Sequence, residues 1–186
     1  MIAEETDAEL AARCRRDPAA FTAVYDRYFL DIYRYVAGRL DVQAAEDLAA
    51  ETFLIAFGRR DRFDAGRGSL RPWLFGIATN LIARHRRKEA RHYRALARAA
   101  SAPVAEEHED RVLTTVAAER MRPHLARALA GLTRGERDVL LLVALGDLSH
   151  EEVAQALEIS YGTVGSRLSR ARRKLHDVID QEAGNG

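Results

Sequence analysis

The sequence has a single cysteine, Cys14, in 186 residues. That excludes an internal disulfide framework and any zinc site built from several thiolates. Its six histidines (His85, His92, His108, His124, His150 and His176) fall at no metal-ligand spacing, so neither a metal nor a cofactor is expected. No apolar run approaches the roughly 18 residues of a membrane span, and the first seven residues are acidic, unlike a secretory signal. No membrane insertion is expected, and the chain is expected inside the cell. Lysine is scarce: of 29 basic side chains only Lys88 and Lys174 are lysine, a skew expected of GC-rich coding DNA more than of chemistry. Strand-like alternation and internal repeats are both missing. What remains is amphipathic helix throughout, and the predicted class is all-α.

The net charge of +1 hides a segregated chain. Residues 1–58 carry eleven acids against six bases, and residues 59–94 carry eleven bases against three acids. Residues 106–110 are acidic again, and residues 160–176 hold Arg167, Arg170, Arg172, Arg173 and Lys174 with no acid. Two basic blocks parted by an acidic spacer predict two contacts with a polyanion. The stretch 97–111 is small, polar and acidic, with Pro103 in it, and reads as a linker. The chain therefore divides into a helical domain over 1–95, a flexible acidic linker over 96–115 and a second small helical domain over 116–182.

The second domain carries a helix-turn-helix pattern. Thr133 and Glu136 form a capping box before an apolar helix containing Val139, Leu142 and Leu145. That helix is expected to stop at Gly146 in a left-handed conformation. Ser149 and Glu152 form a second capping box, opening a short helix with Val153, Ala154 and Leu157 inside. Ser160 caps the last helix, from Tyr161 to about Ile179, where Val164, Leu168, Ala171, Leu175 and Val178 make one apolar stripe. Two short helices across a tight turn, the second basic on its outer face, fit a major-groove reader. Recognition helices touch bases with their first turns, so Tyr161, Thr163, Ser166, Arg167 and Arg170 are the candidates for base edges. Arg172, Arg173 and Lys174 suit phosphates. One residue is out of pattern: Glu158 stands where such turns favour glycine.

In the first domain, residues 45–57 read as a helix with Ala45, Leu48, Ala49, Thr52, Phe53 and Ala56 inside. Its outer face holds Glu46, Asp47, Ala50, Glu51 and Leu54. An acidic face with an apolar anchor suits a basic partner helix, although a single such face is more often simply solvated. A basic glycine-containing loop follows over 62–73 and ends in the only tryptophan, Trp73. A helix over 74–88 comes next, apolar at first, broken by Asn80 and strongly basic at its end. Aromatic rings, a loop and arginines are what holds an unstacked base. Trp73 and Phe75 can equally be core.

Taken in order, these segments resemble the extracytoplasmic-function group of bacterial RNA polymerase sigma factors over about residues 20–180. Residues 45–57 resemble the helix of that family that binds the polymerase clamp. Residues 63–80 resemble its reader of the minus-ten element, and 132–175 its reader of the minus-thirty-five element. The resemblance implies that Asp47, Ala50, Glu51 and Leu54 dock onto core polymerase. It implies that Phe63, Asp64, Gly66, Arg67, Ser69, Trp73 and Asn80 hold melted minus-ten DNA, with Arg84, Arg86 and Arg87 on nearby phosphates. It assigns Ser160, Tyr161, Thr163, Ser166, Arg167, Arg170, Arg173 and Lys174 to minus-thirty-five duplex. The acidic linker would thread polymerase channels. The partners implied are core RNA polymerase, duplex and single-stranded promoter DNA and, as is common in the family, an anti-sigma factor. The implied protein is not an enzyme and works in the bacterial cytoplasm at the nucleoid. The chain departs from the family pattern at Ala50, where glutamine is common, at Glu158, and at Gly165, where lysine is frequent. The rival readings are a self-sufficient helix-turn-helix regulator, a recombinase-like enzyme and a helical adaptor. A regulator would bind duplex unaided. The enzyme lacks a catalytic constellation, and the adaptor leaves the basic blocks unused.

Overall fold

The computed structural model of the chain describes residues 5–99 and 128–183. Every regular element among the described residues is helical. Helix α1 (Asp7–Arg16) opens on a capping box that the sequence reading passed over, Thr6 with Glu9, and buries Leu10, Ala11 and Cys14. Helix α2 (Phe21–Ala37) buries Phe21, Val24, Tyr28, Ile32, Tyr35 and Val36 at helical spacing. Helix α3 (Val42–Gly58) is capped by the Asp41 carboxylate, which accepts the Ala44 N–H at 2.9 Å. Its buried positions are Ala44, Ala45, Leu48, Ala49, Thr52, Phe53 and Ala56. These contain the whole predicted inner face.

Helix α4 (Leu70–Ala99) is longer than the spacing predicts. It starts at Leu70 rather than Leu74, because Pro72 falls in the first turn, where a missing N–H costs nothing. The freed Leu70 N–H donates to the Asp7 carboxylate at 2.8 Å. Asp7 thus ties α1 to the start of α4 across 63 residues of sequence. It also accepts the Tyr28 hydroxyl proton at 2.5 Å. Burial, then this bond to Asp7, push the Tyr28 phenol up to about 12. The first four residues of the predicted linker, 96–99, continue α4. The remainder of that linker, and positions 116–127 of the predicted second domain, lie outside the described residues.

In the second domain, α5 (Arg134–Ala144) and α6 (His150–Leu157) begin at the two predicted capping boxes, Thr133–Glu136 and Ser149–Glu152. Helix α7 (Tyr161–Ala183) buries Val164, Leu168 and Ala171 and packs Leu175 against the core. The predicted Val178 lies where side chains are outside the described residues. Buried Arg137 donates to the carbonyls of Leu129 (2.9 Å) and Leu132 (2.9 Å). It thereby satisfies acceptors at the end of the helical turn that precedes α5. The left-handed residue after α5 is Asp147 (φ 50°), not Gly146 as expected. Gly146 is needed for space instead. A Cβ there would stand 2.7 Å from the Leu142 carbonyl oxygen and 2.8 Å from Cε1 of Phe75. Glu158 does adopt the left-handed conformation, φ 53° and ψ 44°, at the end of α6.

The two halves share one apolar cluster. Phe75 and Leu74 of α4 belong to it together with Leu142, Leu148, Val153 and Ala156. Gly76 of α4 lies so close to the carbonyl of Ala156 on α6 that no side chain fits between them. Around this contact, Arg71 donates to the Gly146 carbonyl at 2.7 Å, and the Gln155 amide donates to the Ser69 carbonyl at 3.1 Å. Arg39 and Asp138, both buried, pair at 2.6 Å across 99 residues of sequence.

The crowding around Gly146 generates a prediction. Gly146→Ala overpacks the seam between Phe75 and Leu142 and is expected to destabilise the chain by about 1–3 kcal/mol. Urea unfolding at fixed pH reads the loss. An unchanged midpoint would remove the packing role assigned to this glycine.

Candidate nucleic-acid interface

The outer face of α3 is built as its sequence spacing dictates. Glu46, Asp47, Ala50, Glu51 and Leu54 are all exposed. Leu54, 71 % exposed, is the most exposed large apolar side chain among the described residues. The sequence reading missed what lies beside it. Tyr25 stacks on Phe29 at 4.7 Å and meets Phe53 of α3 edge-on at 5.0 Å, and Phe29 stacks on Tyr33 at 6.1 Å. Tyr25 is 41 % exposed, as an aromatic row on α2 reaches the surface next to the acidic face. The signal was available: aromatics at 25, 29 and 33 repeat every fourth residue, one helical turn apart.

The loop before α4 forms a basic groove wall. Two 3-10 turns, Arg60–Arg62 and Ala65–Arg67, flank Phe63. Phe63 is largely buried, packs on Trp73 at 5.2 Å and contributes to the lining of the groove. Half-buried Trp73 and exposed Asp64 line the same groove. Asp64 holds the loop by accepting the Gly66 N–H at 2.9 Å. Gly68 has φ 147°, which only glycine adopts without strain. Ser69 is half-buried, with its carbonyl occupied by Gln155. The Arg67 side chain lies outside the described residues. Asn80, Arg84 and Arg87 are exposed on α4, while Arg86 is half-buried and donates to the Arg39 carbonyl at 3.1 Å. Phe75, in contrast, is entirely core.

The first turn of α7 is presented to solvent. Ser160 accepts the Thr163 N–H at 3.2 Å as the predicted cap, and the two hydroxyls bond at 2.8 Å. Tyr161 is 56 % exposed, and Ser166, Arg170 and Arg173 are exposed. Two predicted readers are not free. Lys174 pairs with Glu136 at 2.8 Å, and Arg170 lies 3.5 Å from the other oxygen of the same carboxylate. Glu136 also closes the capping box of α5, accepting the Thr133 N–H at 2.9 Å. The Lys174 ammonium, then that backbone donor, hold its carboxyl down at about 2.

Between the domains lies an open cleft of about 640 Å3. Its lining includes Asn80 and Trp73 from the first domain and Arg167 from the second. Arg59 and Arg134 line it too, and sequence reasoning gave neither a role. Both sit at helix boundaries, where a lone basic residue reads as an ordinary terminus. Among the described residues no cluster of His, Cys, Asp and Glu could hold a metal ion, and no helix is long and apolar enough to cross a membrane.

Comparison with known proteins agrees with this geometry. A model of sigma-70 region 2 matches residues 24–92, and a model of sigma-70 region 4 matches residues 124–175. The chain is 37 % identical over 145 residues to the ECF RNA polymerase sigma factor SigC of Mycobacterium tuberculosis, covering 78 % of this chain and 75 % of that one. It is 31 % identical over 176 residues to the ECF RNA polymerase sigma factor SigW of Bacillus subtilis, covering 88 % and 90 %. Among solved structures it is similar to CnrH, solved in complex with the cytosolic domain of CnrY. The TM-score is 0.65 at 26 % identity, covering 94 % of this chain and 97 % of that one.

The Glu136 network predicts an acid response. A carboxyl held near 2 in the folded chain, against an ordinary 4.5, contributes stability that is present above about pH 4.5. That contribution is lost as pH falls from about 4.5 through 2. Glu136→Gln is expected to flatten this part of the stability–pH curve and to lower stability at pH 7. Thermal unfolding followed by circular dichroism from pH 7 to pH 2 measures it. A wild-type curve flat over that window would contradict the assignment.

Proposed function

The chain belongs to the extracytoplasmic-function group of RNA polymerase sigma factors, which direct promoter-specific initiation, and from that premise we propose how its surfaces divide the work. The observation that carries the reading is α7: its apolar stripe is buried on α5 and α6, while Tyr161 and Ser166 of its first turns face solvent. This is the presentation a major-groove reader needs. Ser160, Tyr161, Thr163, Ser166 and Arg167 read the minus-thirty-five duplex, and Arg173 meets its backbone. Arg170 and Lys174 divide their charge between phosphate and Glu136, so they orient α7 as well as contact DNA.

The groove lined by Phe63, Asp64 and Trp73, with the loop residues Gly66 and Ser69 and with Asn80 of α4, takes a base from the melted minus-ten element. Phe63 stiffens Trp73 from beneath. Arg67, Arg84, Arg86 and Arg87 supply phosphate contacts. Unstacking a base costs a few kcal/mol, so minus-ten capture depends on polymerase. Asp47, Ala50, Glu51 and Leu54 dock on core polymerase, and the aromatic row from Tyr25 extends that face. Residues 1–95 and 116–182 act as the two reading domains, joined by residues 96–115. The protein redirects polymerase and performs no catalysis of its own. Its work is done in the bacterial cytoplasm, at the nucleoid. A restraining partner of the anti-sigma class, common in the family, is proposed as well; the similar CnrH was itself solved with a partner, the cytosolic domain of CnrY.

Multi-round transcription with core RNA polymerase on a genomic-fragment library tests the whole reading. New discrete starts sharing two upstream elements are expected; none, with tight duplex binding in the absence of polymerase, would make the protein an ordinary regulator. Asp47→Arg is expected to lower core binding at least tenfold while leaving helicity unchanged, and unchanged co-purification with core enzyme would remove that face from the polymerase contact. Arg167→Ala is expected to cost about 1–3 kcal/mol at the upstream element, read as reduced output from promoters that depend on it. Normal output there would sink the assignment.

A further inference from the structure

We propose that α1 is a positioning element for promoter reading: Asp7 and Arg15 grip the main chain of the loop before α4 at its two ends and hold it in the shape that accepts a minus-ten base. The inference rests on the assignment of that loop to melted DNA. Helix α1 precedes the part of the chain matched to sigma-70 region 2, and it carries none of the side chains assigned to DNA or polymerase. Two of its polar side chains are nevertheless aimed at the loop. Arg15 Nη1 donates to the Phe63 carbonyl at 3.0 Å, where the loop begins. The Asp7 carboxylate accepts the Leu70 N–H at 2.8 Å, where the loop ends and α4 starts. Asp64, Gly66 and Ser69 lie between the two grips.

The grips are built to keep their places. Thr6 and Glu9 cap the first turn of α1 reciprocally, which fixes Asp7 at the first helical position. One oxygen of the Asp7 carboxylate is taken by α2, accepting the Tyr28 hydroxyl at 2.5 Å and Arg27 Nη1 at 3.3 Å. The other oxygen is the one that holds Leu70. Buried Leu10, Ala11 and Cys14 anchor the helix between its two polar ends. Asp7 and Arg15 therefore stand about 12 Å apart along a rigid rod. The loop needs such a frame. It contains Gly66 and Gly68 and only short 3-10 turns, and glycine loses more freedom on ordering than any other residue. A loop that orders only as the base arrives opposes binding with that entropy, and one held beforehand does not. Both grips take main-chain groups, so they fix the path of the loop without occupying any of its side chains. Arg15 is exposed, so removing its side chain leaves no cavity in the core.

Two readouts on the full chain test the proposal. The first is amide hydrogen exchange across residues 63–70 in the free protein. The second is made in holoenzyme with core polymerase: binding of a single-stranded oligonucleotide that carries the non-template minus-ten strand of a start mapped by the transcription assay. Arg15→Ala is expected to speed exchange in the loop. It is expected to weaken oligonucleotide binding about tenfold, the scale of a lost hydrogen bond from a charged donor, with thermal midpoint and core affinity unchanged. Arg15→Lys keeps a charged donor and is expected to recover most of the binding, which a general loss of packing would not allow. Asp7→Ala is expected to speed exchange of the Leu70 amide in particular; because it also unpairs Tyr28, binding is judged at Arg15. Exchange at the wild-type rate in either alanine variant would overturn the clamp, and so would faster exchange in Arg15→Ala with oligonucleotide affinity kept. Asn80→Ala, on the same reader but outside the loop, separates the two ways of failing. If it weakens binding and Arg15→Ala does not, the clamp alone is wrong. If neither weakens binding, the minus-ten assignment is wrong and the clamp falls with it.

Discussion

At Gly76 the backbone of α4 lies directly against the Ala156 carbonyl of α6, and at Gly146 the Phe75 ring occupies the place a side chain would take. The remaining arrangement hangs on this close approach. It brings Leu74 and Phe75 into one apolar cluster with Leu142, Val153 and Ala156. It also brings Arg39 within 2.6 Å of Asp138 and sets Arg71 over the end of α5. Any residue larger than glycine at 76 would push α6 outward and take those polar contacts with it. Two glycines that look unremarkable in a helix thus decide whether the two halves meet.

The seam mixes two kinds of interaction with different consequences. Burying Phe75 removes apolar area from water and has no partner requirement beyond shape. Pairing Arg39 with Asp138 is conditional: deleting one partner while the seam stays closed leaves a buried charge, a loss of about 3–5 kcal/mol. When the seam opens instead, both charges return to water and most of that penalty disappears. Apolar burial therefore supplies the attraction, and the ion pair supplies the register and the sensitivity to what the other half does.

Much of this was legible in the sequence. The inner face of α3 follows from its 3–4 spacing, and three of the capping residues (Thr133, Ser149 and Ser160) sit where their hydroxyls place them, the first two with a glutamate three residues on. The outer face of α3 and the first turn of α7 are exposed as their polarity implies. The failures share a cause. Gly146 reads as a helix stop because local rules know nothing of Phe75, which arrives from 71 positions earlier in the chain. Asp7 is one of several acids at the start of the sequence, and nothing local shows that it also caps α4, 63 positions on. Lys174 reads as a phosphate ligand and Arg170 as a base reader because Glu136 lies 38 residues from Lys174 and only the fold brings it near. Local periodicity writes faces and caps, but a side chain's choice among distant partners is written nowhere in its own neighbourhood.

The same limit bears on charge. A basic block on a helix is an electrostatic statement about DNA only for the residues left unneutralised. On α7, Glu136 takes up Lys174 and part of Arg170, which leaves the exposed positive charge of its outer face at Arg172 and Arg173. Arg167 is half-buried, with its guanidinium beside Gly135, and faces the cleft rather than open solvent. The Arg167 side chain of α7 is thus turned towards the first domain. The acid that orients the helix and the seam that covers it act on the same few arginines. If α7 reads promoter duplex as proposed, its affinity depends on how the two halves stand, and composition alone does not set it.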